Sequence, residues 1–453
     1  MRSLPTLPFF ALLFSLLACS PKIAQPELID EVPTPAVKES SKLNILPVLI
    51  EKGNSFIGPC EPSICINPID DNHIVAGAIL DKVYVSKDGG KNWTSQSMSS
   101  SYGVYGDPVI RANYKGDFFY SHLADPDDAP YSSEAFLDRI VIQKSSDGGY
   151  TWSDGSYTLP RSPKDQDKQW MTVDPQTNKL YLTWTEFDLY ASKESTHKSR
   201  ILFSSSDDDG ETWSDPLTLS QLEGDCLDDD QTTEGAVPDV GPDGQVYVAW
   251  AYDENIYFDK SYDGGKTWLA EDILATQQVG GWVIDIPGLN RCNGMPITRA
   301  DRSNSPHRGT IYINYGEQKS KDNTEIMLVK STDEGQTWSE PIKVNDDTSD
   351  RHQFLSWMDI DQSTGHIYIV FYDRRNTSGN ETDVYLAISR DGGDTFKNIK
   401  INDVSFTPNT FAFFGDYNDI SAVNGKIRPI WTQQNGAVLS VWTAIIDLVE
   451  GEK

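Results

Sequence analysis

The chain has 453 residues, and its 68 acidic side chains outnumber 38 basic ones to give a formal net charge of −30. That charge argues against nucleic acid and anionic membrane surfaces as partners, since both carry the same sign. Short runs rich in Val, Ile, Thr, Tyr and Trp, without long helical periods, read as all-β.

Residues 1–18 read as a signal peptide: Arg2 is followed by an apolar run that is too short to span a bilayer. Leu16-Leu17-Ala18-Cys19 is similar to a bacterial lipobox. That resemblance implies cleavage before Cys19, lipidation of Cys19, and membrane contact only through the lipid anchor. An ordinary secretory signal with a chance Cys is the alternative. Residues 19–42, rich in Pro, Glu and Ser, would form a flexible tether. Residues 43–447 would form a single domain, which the length amply supports, and 448–453 a C-terminal tail. The expected location is the bacterial cell envelope, at the outer membrane or cell surface.

One eight-residue phrase recurs six times, beginning at Ser86, Ser145, Ser206, Ser261, Ser331 and Ser389. The first copy is Ser86-Lys87-Asp88-Gly89-Gly90-Lys91-Asn92-Trp93. A period of this size marks a repeat architecture. Each copy lies between two short apolar runs and so reads as a strand–turn–strand hairpin, its Gly residues supplying positive φ. Asp88, Asp147, Asp208, Asp263, Asp333 and Asp391 would bond the backbone of their own turns, and the closing aromatic would anchor the turn. Six near-identical turns suit a structural staple better than six catalytic or metal-binding carboxylates.

This phrase resembles the Asp box of the sialidase/neuraminidase superfamily, whose bacterial neuraminidase repeats build β-propellers. The resemblance implies a ring of four-stranded blades with each Asp box in a blade hairpin, away from the substrate pocket. Seven inner units start near Pro62, Asp107, Gln169, Gly235, Met295, Trp357 and Asp416. Seven blades are therefore preferred over six, the number found in sialidases. The seventh unit lacks an outer strand. Leu43–Ile50 is the candidate to supply it, closing the ring and removing the exposed edges.

Cys226 and Cys292 precede the inner strands of units four and five and are expected to pair, as are Cys60 and Cys65. A zinc site is the rival reading, but the cysteines lack close His partners. No cofactor and no metal site is assigned. Calcium at the acidic stretch Asp225–Asp230 stays open, with solvated carboxylates as the alternative.

Ligand contacts are expected around the central channel, where inner-strand starts and second-strand ends converge. One repeat position holds Cys65, Arg111, Thr172, Asp239, Arg299, Asp359 and Asp419. Another, past each second strand, holds Glu186, Glu317 and Asp373, with Arg374 and Arg375 following. Loops feeding the same face carry Asp107, Asp167 to Trp170, Glu234, Trp357 and Asp416-Tyr417. The sialidase resemblance implies a triple-Arg clamp, for which Arg111, Arg299 and Arg374 are candidates. It also implies a Tyr nucleophile paired with a Glu, for which Tyr417 with Glu186 or Glu317 is the candidate pair, and an Asp acid/base, for which Asp373 is available. The Arg-Ile-Pro motif of that family is missing from Pro59–Asn67. The expectation is thus a sialidase-like envelope lipoprotein, monomeric, that recognises or hydrolyses glycans as an exo-sialidase-type glycoside hydrolase. The alternative is a non-catalytic propeller that binds a glycan or protein, or an envelope assembly scaffold.

Overall fold

A computed structural model describes residues 43–54, 57–131 and 133–448. The proposed leader, Cys19 and tether, and all of the tail beyond Leu448, lie outside the described residues.

Seven four-stranded antiparallel sheets follow one another around a ring as the blades of a β-propeller. The inner strands are Ser63–Asn67, Val109–Ala112, Asp165–Val173, Glu234–Val240, Ile297–Ala300, Gln353–Asp361 and Asp419–Val423, numbered here as blades one to seven. In the first six blades the chain runs outward from the inner strand through three more. In the seventh, Lys426–Asn435 and Val438–Asp447 follow the inner strand, and Ile45–Lys52 completes the sheet. Ile45 stands opposite Ile446 and Lys52 opposite Ser440 in antiparallel register. The sequence places this closing strand two residues early but pairs it correctly.

Six hairpins carry the repeated phrase, and their bonds are those the residue types require. In the second copy Ser145 Oγ donates to Asp147 Oδ1 at 2.8 Å and accepts the Gly149 amide at 2.8 Å. The Asp147 carboxylate accepts the Tyr150 and Thr151 amides at 3.1 and 2.9 Å and the Thr151 hydroxyl at 2.7 Å. The Thr151 amide and hydroxyl hold this carboxyl down to about 2. The pattern recurs at Asp88, Asp208, Asp263, Asp333 and Asp391. These carboxylates are spent on their own turns.

The same turns lock neighbouring blades. The last Gly of each box has positive φ and lies against the preceding blade: Gly149 on Val75 and Val85, Gly210 on Phe119, Gly265 on Phe203, Gly335 on Phe258, and Gly393 on Leu328 and Tyr312. A Cβ on Gly265 would meet the Phe203 ring at 2.2 Å. At the closing seam Gly90 packs instead on Arg428 of blade seven, which is 1% exposed and donates from Nε to the Gly89 carbonyl at 2.9 Å.

Across the channel, Trp170, Trp357 and Tyr417 occupy one repeat position, two residues before the polar ring position. Their rings meet at centroid distances of 4.2 Å (Trp170–Trp357), 5.0 Å (Trp170–Tyr417) and 6.2 Å (Trp357–Tyr417). All three are buried. They fill the axis and leave a cavity at either end.

Candidate functional site

Four residues before the polar ring position, the backbone of six blades enters the left-handed region: Glu61 (φ 51°), Asp107 (49°), Lys168 (53°), Gly235 (76°), Leu355 (49°) and Gly415 (99°). For a non-glycine residue this costs about 1–3 kcal/mol and persists only where the surroundings enforce it. In blades three, four and six the ladder shifts register at the same place, as a β-bulge does. The bend brings Glu61, Asp107 and Lys168 together at the channel mouth, where with Asp167, Arg291, Tyr105, Tyr131, Tyr190 and Phe413 they line a cavity of about 500 Å³.

Asp416 lies at the base of this cavity. Its Oδ2 accepts Lys168 Nζ at 2.9 Å, and Arg291 grips both of its oxygens, with Nε to Oδ1 at 2.8 Å. Arg291 Nη1 also donates to Asp228 Oδ2 at 3.0 Å. The Asp416 amide donates to Glu61 Oε1 at 3.0 Å. Burial pushes the Asp416 carboxyl up, but Lys168 and Arg291 prevail and hold it well below the usual carboxylate range. Its neighbours go the other way: burial and the facing carboxylates push Glu61 up, and burial does the same to Asp107. The site therefore holds one carboxyl pushed below its ordinary range beside two pushed above theirs, a division that suits acid and base roles.

Several buried polar atoms at this mouth lack a hydrogen-bond partner: Asp107 Oδ2, Tyr417 Oη, Trp170 Nε1 and Trp357 Nε1. Asp107 Oδ2 is 3.9 Å from Lys168 Nζ. Burial, Asp107 and Glu61 raise the Tyr417 phenol well above its ordinary value. It holds its proton beside two carboxyl groups.

The polar ring lies at the other end of the axis, a difference from the single face read in the sequence. Arg111, Thr172, Asp239, Arg299 and Asp359 line a second cavity of about 360 Å³ together with turn residues that follow the inner strands, such as Gln362 and Asn424. Inner strands run from the Glu61 end to this end, so four further residues carry a side chain past the aromatic plug. Here Arg111 meets Asp419 at 3.3 Å, Arg299 meets Asp359 at 3.5 Å and Arg302 meets Asp239 at 3.0 Å.

The other candidates stand apart from one another. Arg374 is buried and donates to the Pro287 carbonyl at 2.9 Å and to Thr382 Oγ1 at 3.1 Å; burial and Arg351 bring it down to about 10. Glu186 is held by Arg161, by Lys164 at 2.9 Å and by Arg200 at 3.3 Å. Asp373 is pushed up to about 6 by burial and is bound by Arg375 at 2.7 Å. Glu317 is buried on blade five, and burial raises it. Only Tyr417 of the candidate set stands beside the mouth. Asp107, Asp167, Lys168 and Asp416 were legible as loop residues of that face.

Glu61 and Arg291 were missed. Glu61 stands four residues before Cys65, as Asp107 does before Arg111, so the repeat alignment contained it. Arg291 belongs to the loop between Gln277 and Ile297 that precedes blade five, outside the repeated positions.

The two expected disulfides are corrected: Cys60, Cys65, Cys226 and Cys292 are free thiols. Cys60 lies at the mouth, its Sγ 3.3 Å from the Phe413 carbonyl, whereas Cys65 borders the far cavity. Cys226 faces the Asp188–Leu189 backbone and Cys292 that of Asn293 and Leu355. In the Asp225–Asp230 stretch, Asp228 accepts Tyr190 Oη at 3.0 Å as well as Arg291, and Asp230 accepts the Val283 amide at 2.8 Å. Among the described residues no group of three or more His, Cys, Asp or Glu is arranged to hold a metal ion.

Comparison with solved structures finds likenesses at low identity. A Hadza microbial sialidase is 14% identical over 83% of this chain and 73% of its own, with a TM-score of 0.46. The NanB sialidase of Streptococcus pneumoniae is 9% identical over 90% and 95%, with a TM-score of 0.49. A polysaccharide lyase, an ulvan lyase, is 13% identical over 86% and 95%, with a TM-score of 0.49. No curated protein matches. The family model for the BNR repeat-like domain matches residues 178–424, more than half of the sequence, and the chain belongs to that family.

Proposed function

We propose that this chain is a glycan-directed lipoprotein of the bacterial cell envelope that binds saccharide at the Glu61–Asp107–Asp416 mouth and hydrolyses it there. The observation that carries the reading is the Tyr417 hydroxyl, buried and unpartnered behind Asp107 and Glu61, which line an aromatic-walled cavity. Saccharide sites combine aromatic faces with a few convergent polar groups. Glycoside hydrolysis needs a carboxyl that carries a proton to the leaving oxygen and an anionic group facing the sugar. Asp107 and Glu61, whose pKa values lie above the ordinary range, suit the first role. Asp416, held ionised, keeps Lys168 and Arg291 in place. The envelope address rests on the sequence of residues 1–42.

A second reading, saccharide binding without turnover, draws on one observation: both oxygens of the ionised Asp416 are already occupied by Lys168 and Arg291. The deciding experiment is a panel of fluorogenic glycosides and a glycan array with purified residues 43–453. Turnover lost in Asp107→Asn with array binding retained supports hydrolysis. Array binding without turnover leaves the binding reading. Neither signal overturns both.

A further inference from the structure

The cavity at the far end of the axis has more hydrogen-bond donors than the protein uses. Arg111, Arg299 and Arg302 line it. Each spends a single nitrogen on the protein. Arg111 Nη1 donates to the Ile110 carbonyl at 2.7 Å and to Asp419 Oδ2 at 3.3 Å. Arg299 Nη1 donates to the Thr298 carbonyl at 2.8 Å, and Arg302 Nη1 to Asp239 Oδ1 at 3.0 Å and the Val240 carbonyl at 2.7 Å. A guanidinium carries N–H groups on all three of its nitrogens. Among the described residues nothing accepts a hydrogen bond from Nε or Nη2 of these three side chains, and none of those nitrogens is sealed from solvent. The side chains are 16%, 10% and 18% exposed, so the open donors reach the cavity. The ion pairs that tie the blades explain one edge of each guanidinium and leave the other unused.

The lining carboxylates are engaged by the backbone. Asp239 Oδ2 accepts the Ala300 amide at 2.8 Å, and the Asp361 oxygens accept the Ser363 and Gly425 amides at 2.9 and 2.6 Å. The Asp359 oxygens accept the Ile360 and Ala422 amides at 2.9 and 2.8 Å. Asp359 is 23% exposed and is the carboxylate a ligand would meet. It stands 3.5 Å from Arg299 Nε, and its charge also acts on Arg111 and Arg302, so the three guanidinium groups converge on one place. The planar guanidinium fork matches carboxylate, phosphate and sulfate oxygens. A volume of about 360 Å³ admits a compact ion. The net charge of −30 opposes long-range attraction of anions, but salt confines that field to about 8 Å, and direct donors act within it. We propose that the far cavity is a binding site for a small free oxyanion (phosphate, sulfate or a compact carboxylate) held by Arg111, Arg299 and Arg302. It lies across the aromatic plug from the mouth and does not rest on the saccharide reading.

The test is calorimetric titration of the folded domain with inorganic phosphate, sulfate and citrate in chloride buffers of equal ionic strength, beside vesicles of phosphatidylglycerol. The expected result is saturable binding of a free anion, one per chain. Arg302→Gln should weaken it about tenfold or more, the worth of one charge-assisted bond. Asp359→Asn removes the competing charge and should tighten it. Lys91→Gln, at an exposed lysine of a box turn, should leave it unchanged and so separates the cavity from general attraction to surface lysines. If Arg302→Gln fails to fold, the wild-type stoichiometry and the Asp359→Asn titration still decide. No saturable binding of any free anion, binding to the vesicles alone, or an affinity indifferent to both cavity variants overturns the proposal. Each of these outcomes leaves the saccharide reading at the mouth standing.

Discussion

Lys168 and Asp416 lie 248 residues apart and join blades three and seven through a 2.9 Å ion pair with both side chains buried. Removing one member leaves the other charged and enclosed, which costs about 3–5 kcal/mol. Lys168→Met and Asp416→Asn should each lower the unfolding free energy by that amount, read from denaturant titrations, with the double variant less destabilised than the sum because the two share one interaction. Additive losses would show that the pair is not coupled.

The fit of each box against the preceding blade gives a second expectation. Gly265→Ala places a methyl 2.2 Å from the Phe203 ring and an L side chain at φ +85°. It should cost about 2 kcal/mol or more, read as a fall in Tm. Gly244→Ala has a similar φ of +85° but open space around it, and should cost less. Equal losses would assign the whole effect to the backbone.

Asp259 yields a pH dependence. Burial pushes its carboxyl up to about 7, and its Oδ2 has no partner. The folded protein then holds this proton over a range where the unfolded chain, with a carboxyl near about 4, has lost it. Stability from this group is therefore full below about pH 4, falls as pH rises toward about 7, and stays low above. Asp259→Asn should flatten that decline and stabilise the protein by about 2 kcal/mol at pH 8. An unchanged slope in urea titrations between these limits would contradict the assignment.

Arg111 and Arg299 test the separation of the two cavities. Arg111 of blade two is tied to Asp419 of blade seven at 3.3 Å, and Arg299 of blade five to Asp359 of blade six at 3.5 Å. Arg111→Gln and Arg299→Gln should lower stability by about 1–3 kcal/mol and leave saccharide affinity at the mouth unchanged. Affinity lost in either, with the fold intact, would move the binding site to the far cavity.

The blades were legible because the box is local: Ser, Asp, Gly, Thr and Trp at fixed offsets specify a turn whose bonds lie within eight residues. The closing strand was legible because the seventh unit lacked an edge. The channel was harder to read. Arg111 and Asp107 are four residues apart, and the sequence alone does not show that Trp170, Trp357 and Tyr417 meet between their levels. The shift from strand to left-handed backbone at Glu61, Asp107 and Lys168 is set by their neighbours around the ring, since none of these residue types demands it. The disulfide expectation failed for a related reason: proximity along a face does not fix which way a loop turns its thiol.

The strand Ile45–Lys52 has a consequence for the order of events during synthesis. It precedes every other described strand, yet its partner Val438–Asp447 emerges after all the rest of them. Throughout elongation the early strand waits, and the growing array keeps an open edge at each end. The seam where Gly90 meets Arg428 can form only at that same late stage. Completion is thus a single terminal step that depends on residues at both extremities, and a chain cut short by a few residues before Val438 would lose the partner of its first strand together with the strand that was cut.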